Sequence, residues 1–527
     1  MFKKLTSLFS GKHKRANDHL ENREYDESMS GLQVYNSLSK SKEPFVTISK
    51  GHVGMYVCGP TVYSDVHLGN IRTFISFDVI YRYLIHLGYK VRYVRNITDV
   101  GHLVGDLDTG EDKIAERAKL ENLEPMEVVQ KYSNGFHQMM DIFNVSPPSI
   151  EPRATGHIIE QIEMVQKILD NKMAYIKNGS VYFDTIKFNK KYKSYGQLSG
   201  RVIDELFAET RDLKNQNEKK HPADFAIWMK ADDRHLMKWN SPWSVGFPGW
   251  HLECSAMSTK YLGETFDVHG GGNDLKFPHH ENEVAQNVGA CKCSPARYWL
   301  HSNMLLMNGR KMSKSDGNTI TPDQLFSGDS EHVSKGYSPM VIRFFLMQAH
   351  YRSTIDLSDE ALSAAEKGYK KLIEANRYLQ DISSSSLSEP TDLDSQITTL
   401  IDAVFEELND DFNTPKALAR LFELVPIINS HRDGKKEFRA FTPETLIKLK
   451  KCFSDVLLNI MGLQDEASSQ GNNLYNSLDG VMQLVLDLRQ QARANKDWTT
   501  SDKIRDTLAK ENIVVKDGKD GSSWTLN

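Results

Sequence analysis

Residues 53–94 read VGMYVCGPTVYSDVHLGNIRTFISFDVIYRYLIHLGYKVRYV, and this stretch decides the expected fold. The apolar run at 53–57 predicts a buried strand, 71–86 predicts a helix, and 89–94 predicts a second strand. A strand, a helix and a strand within about 45 residues make one parallel βαβ unit. The stretch therefore predicts an α/β fold with a Rossmann-like, doubly wound parallel sheet.

The rest of the chain predicts an insertion into this sheet domain and a helical carboxyl-terminal part. Residues 146–224 break the α/β pattern, and after residue 338 apolar residues recur at helical spacing for more than 100 residues. The expected segments are a disordered tail at 1–31, the first half of the sheet domain at 32–145, the insertion at 146–224, the second half at 225–300, a segment with a lysine-rich loop at 301–365, a helical bundle at 366–468 and a small module at 474–527.

Composition excludes several classes of protein. The chain has 527 residues, a net charge of -5 and 39% hydrophobic residues, which is typical of a globular protein and not of a polybasic nucleic-acid binder. It contains no apolar run of about 18 residues, so no membrane span is expected. No apolar core follows the basic amino terminus, which argues against a secretory signal. Five cysteines indicate cytosolic thiols or metal ligands and a cytoplasmic location.

Three motifs predict a nucleotide site. His67, Gly69 and Asn70 stand at an expected helix start, where backbone N–H groups and the helix dipole stabilise phosphate. Lys311 and Lys314 lie in a Ser- and Gly-flanked loop, KMSKSDGN, which can neutralise a leaving pyrophosphate. The third motif follows an expected strand and allows close backbone approach by a nucleotide; its candidate contacts are His269, Gly271 and Asp274.

Four residues predict a metal site. His279 and Glu283 are four residues apart, so both face one side of a helix and can bind a single ion. With the thiols of Cys58 and Cys254 they form a donor set that suits Zn²⁺. His280 is a competing ligand, because it is three residues from Glu283 and spacing does not exclude it.

These motifs resemble cysteinyl-tRNA synthetases of the class I aminoacyl-tRNA synthetase family. The resemblance rests on the paired nucleotide motifs, about 240 residues apart, and extends from about residue 32 to the carboxyl terminus. The segments that carry it are CGPTVY at 58–63, GWHLEC at 249–254, PHHENE at 278–283 and the loop at 311–318. It implies a catalytic sheet domain, a KMSKS loop with a stem-contact region, and an anticodon-binding module at 474–527.

The resemblance also implies roles for individual residues. One zinc ion held by Cys58, Cys254, His279 and Glu283 binds the thiolate of the substrate, while His67, Lys311 and Lys314 assist catalysis with Mg²⁺ and ATP. Gly59, Thr98 and Trp250 match the family's substrate-binding positions, and Arg493, Trp498 and Asp502 are candidate tRNA contacts. The implied partners are L-cysteine, ATP and tRNA(Cys), with no membrane, and the expected assembly is a monomer.

Some features and two other functions stay open. Phe247 stands where many relatives have Arg, the loop at 101–112 is longer than the compact family form, and Cys291 and Cys293 are expected to be incidental thiols. A cysteine:glucosaminyl-inositol ligase shares the catalytic core but needs no anticodon module. An inactive, RNA-binding relative is the third hypothesis, which loss of a signature residue would favour.

Overall fold

The computed structural model describes residues 31–100, 113–201, 218–233, 235–312, 318–382, 389–433, 441–466, 482, 485–493, 495, 497–510, 513–518 and 521–526. The predicted tail, the long loop at 101–112 and the lysine-rich loop from Ser313 to Gly317 lie outside the described residues, apart from Gly31. The chain divides into two units, with the boundary between Leu463 and Gln464. Each unit is considered by itself.

The strands are, in chain order, β1 (Gln33–Asn36), β2 (Ser41–Pro44), β3 (His52–Val57), β4 (Lys90–Arg95), β5 (Ala174–Lys177), β6 (Ser180–Phe183), β7 (Phe225–Lys230), β8 (Trp239–Asn240), β9 (Val245–Pro248), β10 (Phe266–Gly272), β11 (Ala296–Ser302), β12 (Leu305–Met307), β13 (Arg310–Lys311), β14 (Ile355–Leu357), β15 (Ile513–Gly518) and β16 (Gly521–Leu526). The α-helices are α1 (Leu68–His86), α2 (Lys113–Glu121), α3 (Pro125–Ile142), α4 (Ile158–Asp170), α5 (Thr185–Tyr192), α6 (Trp250–Leu262), α7 (His279–Cys291), α8 (Pro322–Ser327), α9 (Pro339–Met347), α10 (Asp359–Asp381), α11 (Asp392–Asn409), α12 (Thr414–Arg432), α13 (Pro443–Phe453) and α14 (Trp498–Lys510). None of these described helices is long and apolar enough to cross a bilayer.

The larger unit is built on a four-stranded parallel sheet in the order β11-β10-β3-β4. Strand β3, helix α1 and strand β4 form the βαβ unit predicted from residues 53–94, which confirms the Rossmann-like fold class. Helix α1 starts at a capping box, in which His67 accepts from the Asn70 N–H and the Asn70 side chain accepts from the His67 N–H. Its apolar residues share a core with residues of the sheet. Because all neighbouring strands are parallel, the four strands end at one edge of the sheet.

The insertion carries a second sheet, in the order β5-β6-β7-β9-β8 with antiparallel neighbours. Strands β7 to β9 lie after residue 224, so this sheet continues beyond the boundary that the sequence suggested, and the parallel sheet resumes at Phe266. The reason is burial: Ile227 and Trp228 on β7 are 0% exposed and pack into the core of the insertion with Phe183. The apolar run at 225–228 therefore belongs to the insertion.

Helices α9 to α13 follow the sheet domain, as the helical pattern predicts. A buried ion cluster ties them to helix α1: Asp78 accepts from Arg82 Nε at 2.7 Å and also pairs with Arg343 of α9. Arg343 donates in addition to the carbonyls of Phe143 and Met461, each at 2.7 Å. Helix α12 begins at Thr414, and Asn413 caps it, because its side chain accepts from the Lys416 N–H.

The smaller unit contains a helical stretch at 485–493, helix α14 and the antiparallel hairpin β15–β16. Its apolar contacts include the buried side chains of Met482 and Leu486, with Leu508 and Val515 packed against them. Helix α14 and strand β15 lie where the sequence predicts a helix at 498–511 and a short strand from residue 513.

Candidate active site and metal centre

The candidate site lies at the carboxyl edge of the parallel sheet, where ligands bind in open α/β folds. Cys58 and Gly59 follow strand β3, and Asn96 and Thr98 follow strand β4. The backbone segments after these strands are themselves paired, since the Thr98 N–H donates to the Pro60 carbonyl at 3.1 Å. The starts of helices α6 and α7 bring in the remaining residues.

The four predicted metal ligands converge in one buried cluster. Their ligand atoms all lie within 4.8 Å of one another, and every one of the four residues is buried. The Sγ atoms of Cys58 and Cys254 are 3.6 Å apart, and His279 Nε2 is 3.1 Å from Glu283 Oε1. Zn²⁺ bonds of about 2.3 Å to sulfur and 2.0–2.1 Å to nitrogen, arranged tetrahedrally, need separations of this size. The donor set and its spacing therefore fit a zinc ion.

A second arrangement competes at the same place. Cys58, His269, His280 and Glu283 also place their ligand atoms within 4.8 Å of one another. His280 Nε2 is 3.3 Å from Cys58 Sγ, and its Nδ1 is 2.9 Å from His301 Nε2. This set has one thiol where the first has two, so it is less suited to a soft ion.

The residues of the cluster shift one another's pKa values. Burial raises the pKa of Cys58, and the nearby Cys254 and Glu283 raise it further. Burial also opposes ionisation of Cys254, but hydrogen bonding from Cys58 and His279 lowers its pKa overall. Burial of Glu283 is outweighed by His269 and His279, which lower the pKa of its carboxyl group to about 2. Two acids of the cluster are thus biased toward the anionic form that a metal ligand requires.

His269 lies in this cluster and not at an exposed nucleotide surface. Its side chain is 0% exposed, its Nε2 is 2.8 Å from Glu283 Oε2, and its ring stacks on Trp299 with 4.3 Å between ring centroids. A histidine that orients a metal-binding carboxylate has this geometry. The structure therefore places His269 behind Glu283, whereas the sequence predicts that it contacts a nucleotide.

The glycines after His269 have a packing reason. A Cβ at Gly270 would lie 2.2 Å from the Phe77 ring of α1, and one at Gly271 would lie 2.7 Å from the His280 ring. Close packing of a helix and an imidazole on strand β10 therefore requires glycine at both positions. The backbone of Gly271 is buried, whereas Asp274, the expected polar partner of a nucleotide, is exposed.

The expected phosphate site is the exposed start of helix α1. His67 is exposed, Gly69 and Asn70 are partly exposed, and the capping box fixes the His67 ring over the first turn. A Cβ at Gly69 would lie 3.0 Å from that ring, which accounts for the glycine. Lys311 ends strand β13, and Lys314 lies outside the described residues.

The residues predicted to bind the substrate lie beside the cluster of candidate metal ligands. Gly59 is required, because a Cβ there would lie 1.6 Å from the Asn96 carbonyl oxygen. The Gly59 N–H donates to Asn96 Oδ1 at 2.9 Å, and Thr98 Oγ1 is 2.9 Å from Glu253 Oε2. Trp250 opens helix α6, half-buried, with its ring centroid 4.5 Å from that of His279. Thr98 and Trp250 thus border the same cluster from different segments.

Four residues of this region were not identified from the sequence as site residues. Asn96 and Glu253 are hydrogen-bonded to Thr98, and His301 lies behind His280, with its Nδ1 2.8 Å from Ser37 Oγ. His251 Nδ1 is 2.9 Å from His279 Nδ1. Asn96 and His301 occupy the carboxyl ends of parallel strands, and that position is the signal that could have indicated them.

Cys291 and Cys293 form a disulfide, contrary to the expectation of incidental thiols. Lys292 between them has a left-handed backbone with φ 64°, which brings the two Cα atoms to 5.4 Å. The same two sulfurs and Glu264 also satisfy the spacing of a metal-binding group. Cys452, by contrast, is a buried thiol of the helical bundle, as expected.

The three candidate tRNA contacts lie in the smaller unit. Arg493 is exposed at the end of the helical stretch 485–493, and Trp498, the first residue of α14, is 59% exposed. Asp502 is exposed and forms an ion pair with Arg505 at 3.2 Å. The exposed indole of Trp498 has a surface on which a base can stack. The Asp502 carboxylate, by contrast, is paired with a neighbouring residue of its own helix.

Comparisons with known proteins agree on one family. Residues 44–367 match the family described as tRNA synthetases class I (C) catalytic domain, residues 403–464 match the DALR domain, and residues 477–524 match the cysteinyl-tRNA ligase anticodon binding domain. Cysteine–tRNA ligases of Bacteroides thetaiotaomicron and Porphyromonas gingivalis are 54% and 51% identical over 94% of this chain and 99% of theirs. The enzyme of Deinococcus radiodurans is 47% identical over 94% of this chain and 96% of its own.

A solved structure supports the fold alone. Mycobacterium tuberculosis methionyl-tRNA synthetase in complex with methionyl-adenylate has a TM-score of 0.60 and 15% identity, over 80% of this chain and 93% of the other.

Proposed function

We propose, from the premise that this chain belongs to the cysteine–tRNA ligase family of class I aminoacyl-tRNA synthetases, that it activates L-cysteine with ATP and joins it to tRNA(Cys). In the first step the carboxylate of cysteine attacks the α-phosphate of ATP, giving cysteinyl-adenylate and pyrophosphate. In the second, a ribose hydroxyl of the terminal adenosine attacks the adenylate carbonyl, forming the cysteinyl ester and releasing AMP. The observation that carries the proposal is the convergence of two thiols, an imidazole and a carboxylate in one buried cluster of this α/β domain.

We propose that Cys58, Cys254, His279 and Glu283 hold one zinc ion. The donor types support this set over the one that contains His269 and His280, because it supplies two thiols and the other supplies one. Its 3.6 Å and 3.1 Å separations fit tetrahedral zinc. Zinc, when bound, stabilises a thiolate at neutral pH and prefers sulfur to a neutral hydroxyl. Such a coordination test rejects serine more strongly than a pocket of the right shape does. His269 holds Glu283 in place through its 2.8 Å contact.

We propose that the phosphates of ATP, with Mg²⁺, bind at the start of helix α1. His67 can hydrogen-bond phosphate oxygens, and the Gly69 N–H lies in the first turn, at the positive end of the helix dipole. The Asn70 N–H is used by the capping box, so Asn70 contributes by holding the His67 ring in place. Lys311 and Lys314 are assigned from the sequence motif to the charge that develops as pyrophosphate leaves. Asp274, exposed after strand β10, remains the candidate for a contact to the adenosine.

We propose that the amino acid lies between Trp250 and the segment Gly59 to Thr98. The Trp250 ring is 4.5 Å from the His279 ring, so it can cover a group bound to the metal cluster. Thr98, at the edge of that cluster, is assigned to the amino group of the substrate. These residues position the reactants, and no covalent enzyme intermediate is involved.

The carboxyl-terminal module is assigned to the tRNA anticodon, with Trp498 and Arg493 as contacts. An exposed indole can stack on an unpaired base, and an arginine can pair with phosphate. Asp502 is the weakest of the three assignments, because its carboxylate pairs with Arg505. All four proposed zinc ligands come from one chain, so the site needs no second subunit, and we propose a monomer. We propose a cytoplasmic location because the thiols of Cys58 and Cys254 must stay reduced to bind zinc, although the Cys291–Cys293 disulfide is unusual for that compartment.

One charging assay tests the function. Purified protein, ATP and total tRNA are incubated with labelled cysteine or labelled serine, and label on tRNA is counted. We expect charging with cysteine alone. Transfer of cysteine to glucosaminyl-inositol would favour the second ligase. The match of residues 477–524 to an anticodon binding domain argues against that ligase. RNA binding without charging would favour the inactive relative.

A further inference from the structure

A chain of buried hydrogen bonds joins Asn96, Thr98 and Glu253. The Asn96 Nδ2 donates to Thr98 Oγ1 at 3.0 Å, and the Thr98 hydroxyl donates to Glu253 Oε2 at 2.9 Å. Asn96 is 1% exposed, Thr98 is 2% exposed and Glu253 is 0% exposed. The neighbouring carboxylate of Asp99 is engaged elsewhere, since it accepts from the N–H of Thr155 at 2.8 Å and from its hydroxyl at 2.6 Å.

The chemistry of the three groups fixes the direction of every bond. The Asn96 amide nitrogen can only donate, and the Thr98 hydroxyl donates to a carboxyl oxygen of Glu253. The single proton of the Thr98 hydroxyl is therefore directed to Glu253, and one of its two lone pairs is used by Asn96. The second lone pair of Thr98 remains, so this hydroxyl can offer a ligand an acceptor and no donor.

This chain of hydrogen bonds also lies next to the residues that are proposed to bind the sulfur of the substrate. Glu253 immediately precedes Cys254 on helix α6, and Asn96 Oδ1 is 3.7 Å from Cys254 Sγ. In L-cysteine only two carbon atoms separate the amino nitrogen from the sulfur. A pocket that binds the sulfur at this cluster must therefore meet the α-ammonium group close by.

We propose that Glu253 and Asn96 are positioning residues that hold Thr98 as a hydrogen-bond acceptor for the α-ammonium group of the amino acid substrate. Because a carboxyl oxygen of Glu253 accepts the Thr98 proton, it polarises the hydroxyl, and the bonds of a buried hydrogen-bonded chain strengthen one another. The inference rests on the proposed function, in which Thr98 lies beside the amino group. It predicts that a thiol that lacks an α-ammonium group binds less tightly than L-cysteine.

The test compares L-cysteine with 3-mercaptopropionate, which keeps the thiol and the carboxylate but has no amino group. For zinc-loaded, full-length protein, the KM for cysteine and the inhibition constant of 3-mercaptopropionate are measured in ATP–pyrophosphate exchange. In Glu253→Gln we expect the preference for cysteine to fall about 10-fold or more, a loss of the size expected for a charged hydrogen bond. The inhibition constant of 3-mercaptopropionate should stay within about 3-fold of its original value, and the exposed Glu163→Gln is the matched control.

Thr98 variants test whether Glu253 acts through the hydroxyl. Thr98→Val keeps the shape of the side chain and should lose the preference, whereas Thr98→Ser keeps the hydroxyl and should retain it. In the Thr98→Val background, Glu253→Gln should change the preference by less than about 2-fold, because coupled residues are not additive. An undiminished additional loss would show that Glu253 acts by another route and would overturn the proposal.

Other outcomes separate the inference from the proposed function. Equal weakening of both ligands in Glu253→Gln would indicate a structural role and would overturn the inference. If that variant does not fold, an unchanged preference in Thr98→Val would overturn it as well. Absence of cysteine-dependent exchange in the unaltered, zinc-loaded protein would refute the proposed function itself, whereas an active protein with unchanged preferences would refute the inference alone.

Discussion

His269 illustrates how one side chain changes its interpretation once its neighbours are known. In the sequence it opens a glycine-rich turn, which favours a nucleotide contact. In the structure it is buried between Trp299 and Glu283, and its Nε2 is 2.8 Å from the Glu283 carboxylate. Burial and a carboxylate partner are what a residue that orients a metal ligand has, so we propose this role for His269 toward the candidate ligand Glu283.

We expect His269→Gln to weaken zinc binding about 10- to 100-fold without raising the KM for ATP. Glutamine is a poor substitute for the stacked imidazole, so Glu283 loses a fixed partner. Competition with a chelator measures the zinc affinity, and ATP–pyrophosphate exchange measures the KM. A raised KM for ATP with unchanged zinc affinity would restore the nucleotide contact expected from the sequence.

Cys254 carries the most direct test of the metal centre. We expect Cys254→Ser to lose bound zinc and the discrimination of cysteine from serine, because a neutral hydroxyl replaces a thiolate ligand. Metal content is measured by elemental analysis, and selectivity is measured as the ratio of kcat/KM for the two amino acids. Cys452→Ala, a thiol in the helical bundle, is the control. A full complement of zinc in Cys254→Ser would refute the ligand assignment.

At the scale of elements, the loops after strands β3 and β4 hold the site together. They approach so closely that a Cβ at Gly59 would lie 1.6 Å from the Asn96 carbonyl oxygen. Asn96 then connects the first loop to Thr98 and, through it, to helix α6. The positions of Cys58, Thr98 and Glu253 are therefore coupled, although they come from three segments.

We expect Gly59→Ala to destabilise the protein by about 1–3 kcal/mol and to lower exchange activity, because the two loops must separate. Gly156→Ala is the matched control, since nothing lies within 4 Å of the position of its Cβ. Urea unfolding followed by tryptophan fluorescence compares the two. Equal urea midpoints for the two variants would mean that separating the loops does not lower the free energy of unfolding.

At the scale of the whole molecule, each of the two units has one feature that can be tested by itself. Within the larger unit, the Asp78 cluster links helix α1 to helix α9 and to the carbonyl of Met461. The smaller unit carries the anticodon-binding match and an exposed tryptophan.

We expect Asp78→Asn to destabilise the protein by about 3–5 kcal/mol at pH 7, because two buried guanidinium groups lose their counter-charge. Burial alone would raise the pKa of Asp78, but Arg82 and Arg343 lower it overall. Its contribution to stability is therefore present above the ordinary aspartate pKa of about 3.9 and is lost as the pH falls through the lower native value. Urea midpoints between pH 7 and pH 3 test this, with the exposed Asp402→Asn as control. The acid dependence should be weaker in Asp78→Asn, and an unchanged dependence would contradict the role of Asp78.

We expect Trp498→Ala to weaken tRNA binding about 5- to 100-fold, the range given by loss of one stacked base. Cysteine-dependent ATP–pyrophosphate exchange should not change, because it requires no tRNA. Charging kinetics over a range of tRNA concentrations measure the effect, and Thr499→Ala, exposed beside it, is the control. A KM for tRNA equal to that of the control would remove Trp498 from the interface.

The sequence by itself determined the fold class and the donor types of the metal centre. Hydrophobic residues that recur with a period of two or 3.6 define strands and helices locally. His279 and Glu283 are four residues apart, so they share one face of a helix wherever that helix begins. The tertiary structure alone decided the position of His269 behind Glu283, the packing reason for Gly270 and Gly271, the extent of the insertion sheet and the link from Asn96 to Glu253. Each of these depends on a partner that is distant along the chain and on burial. Local periodicity contains no information about which distant segments meet.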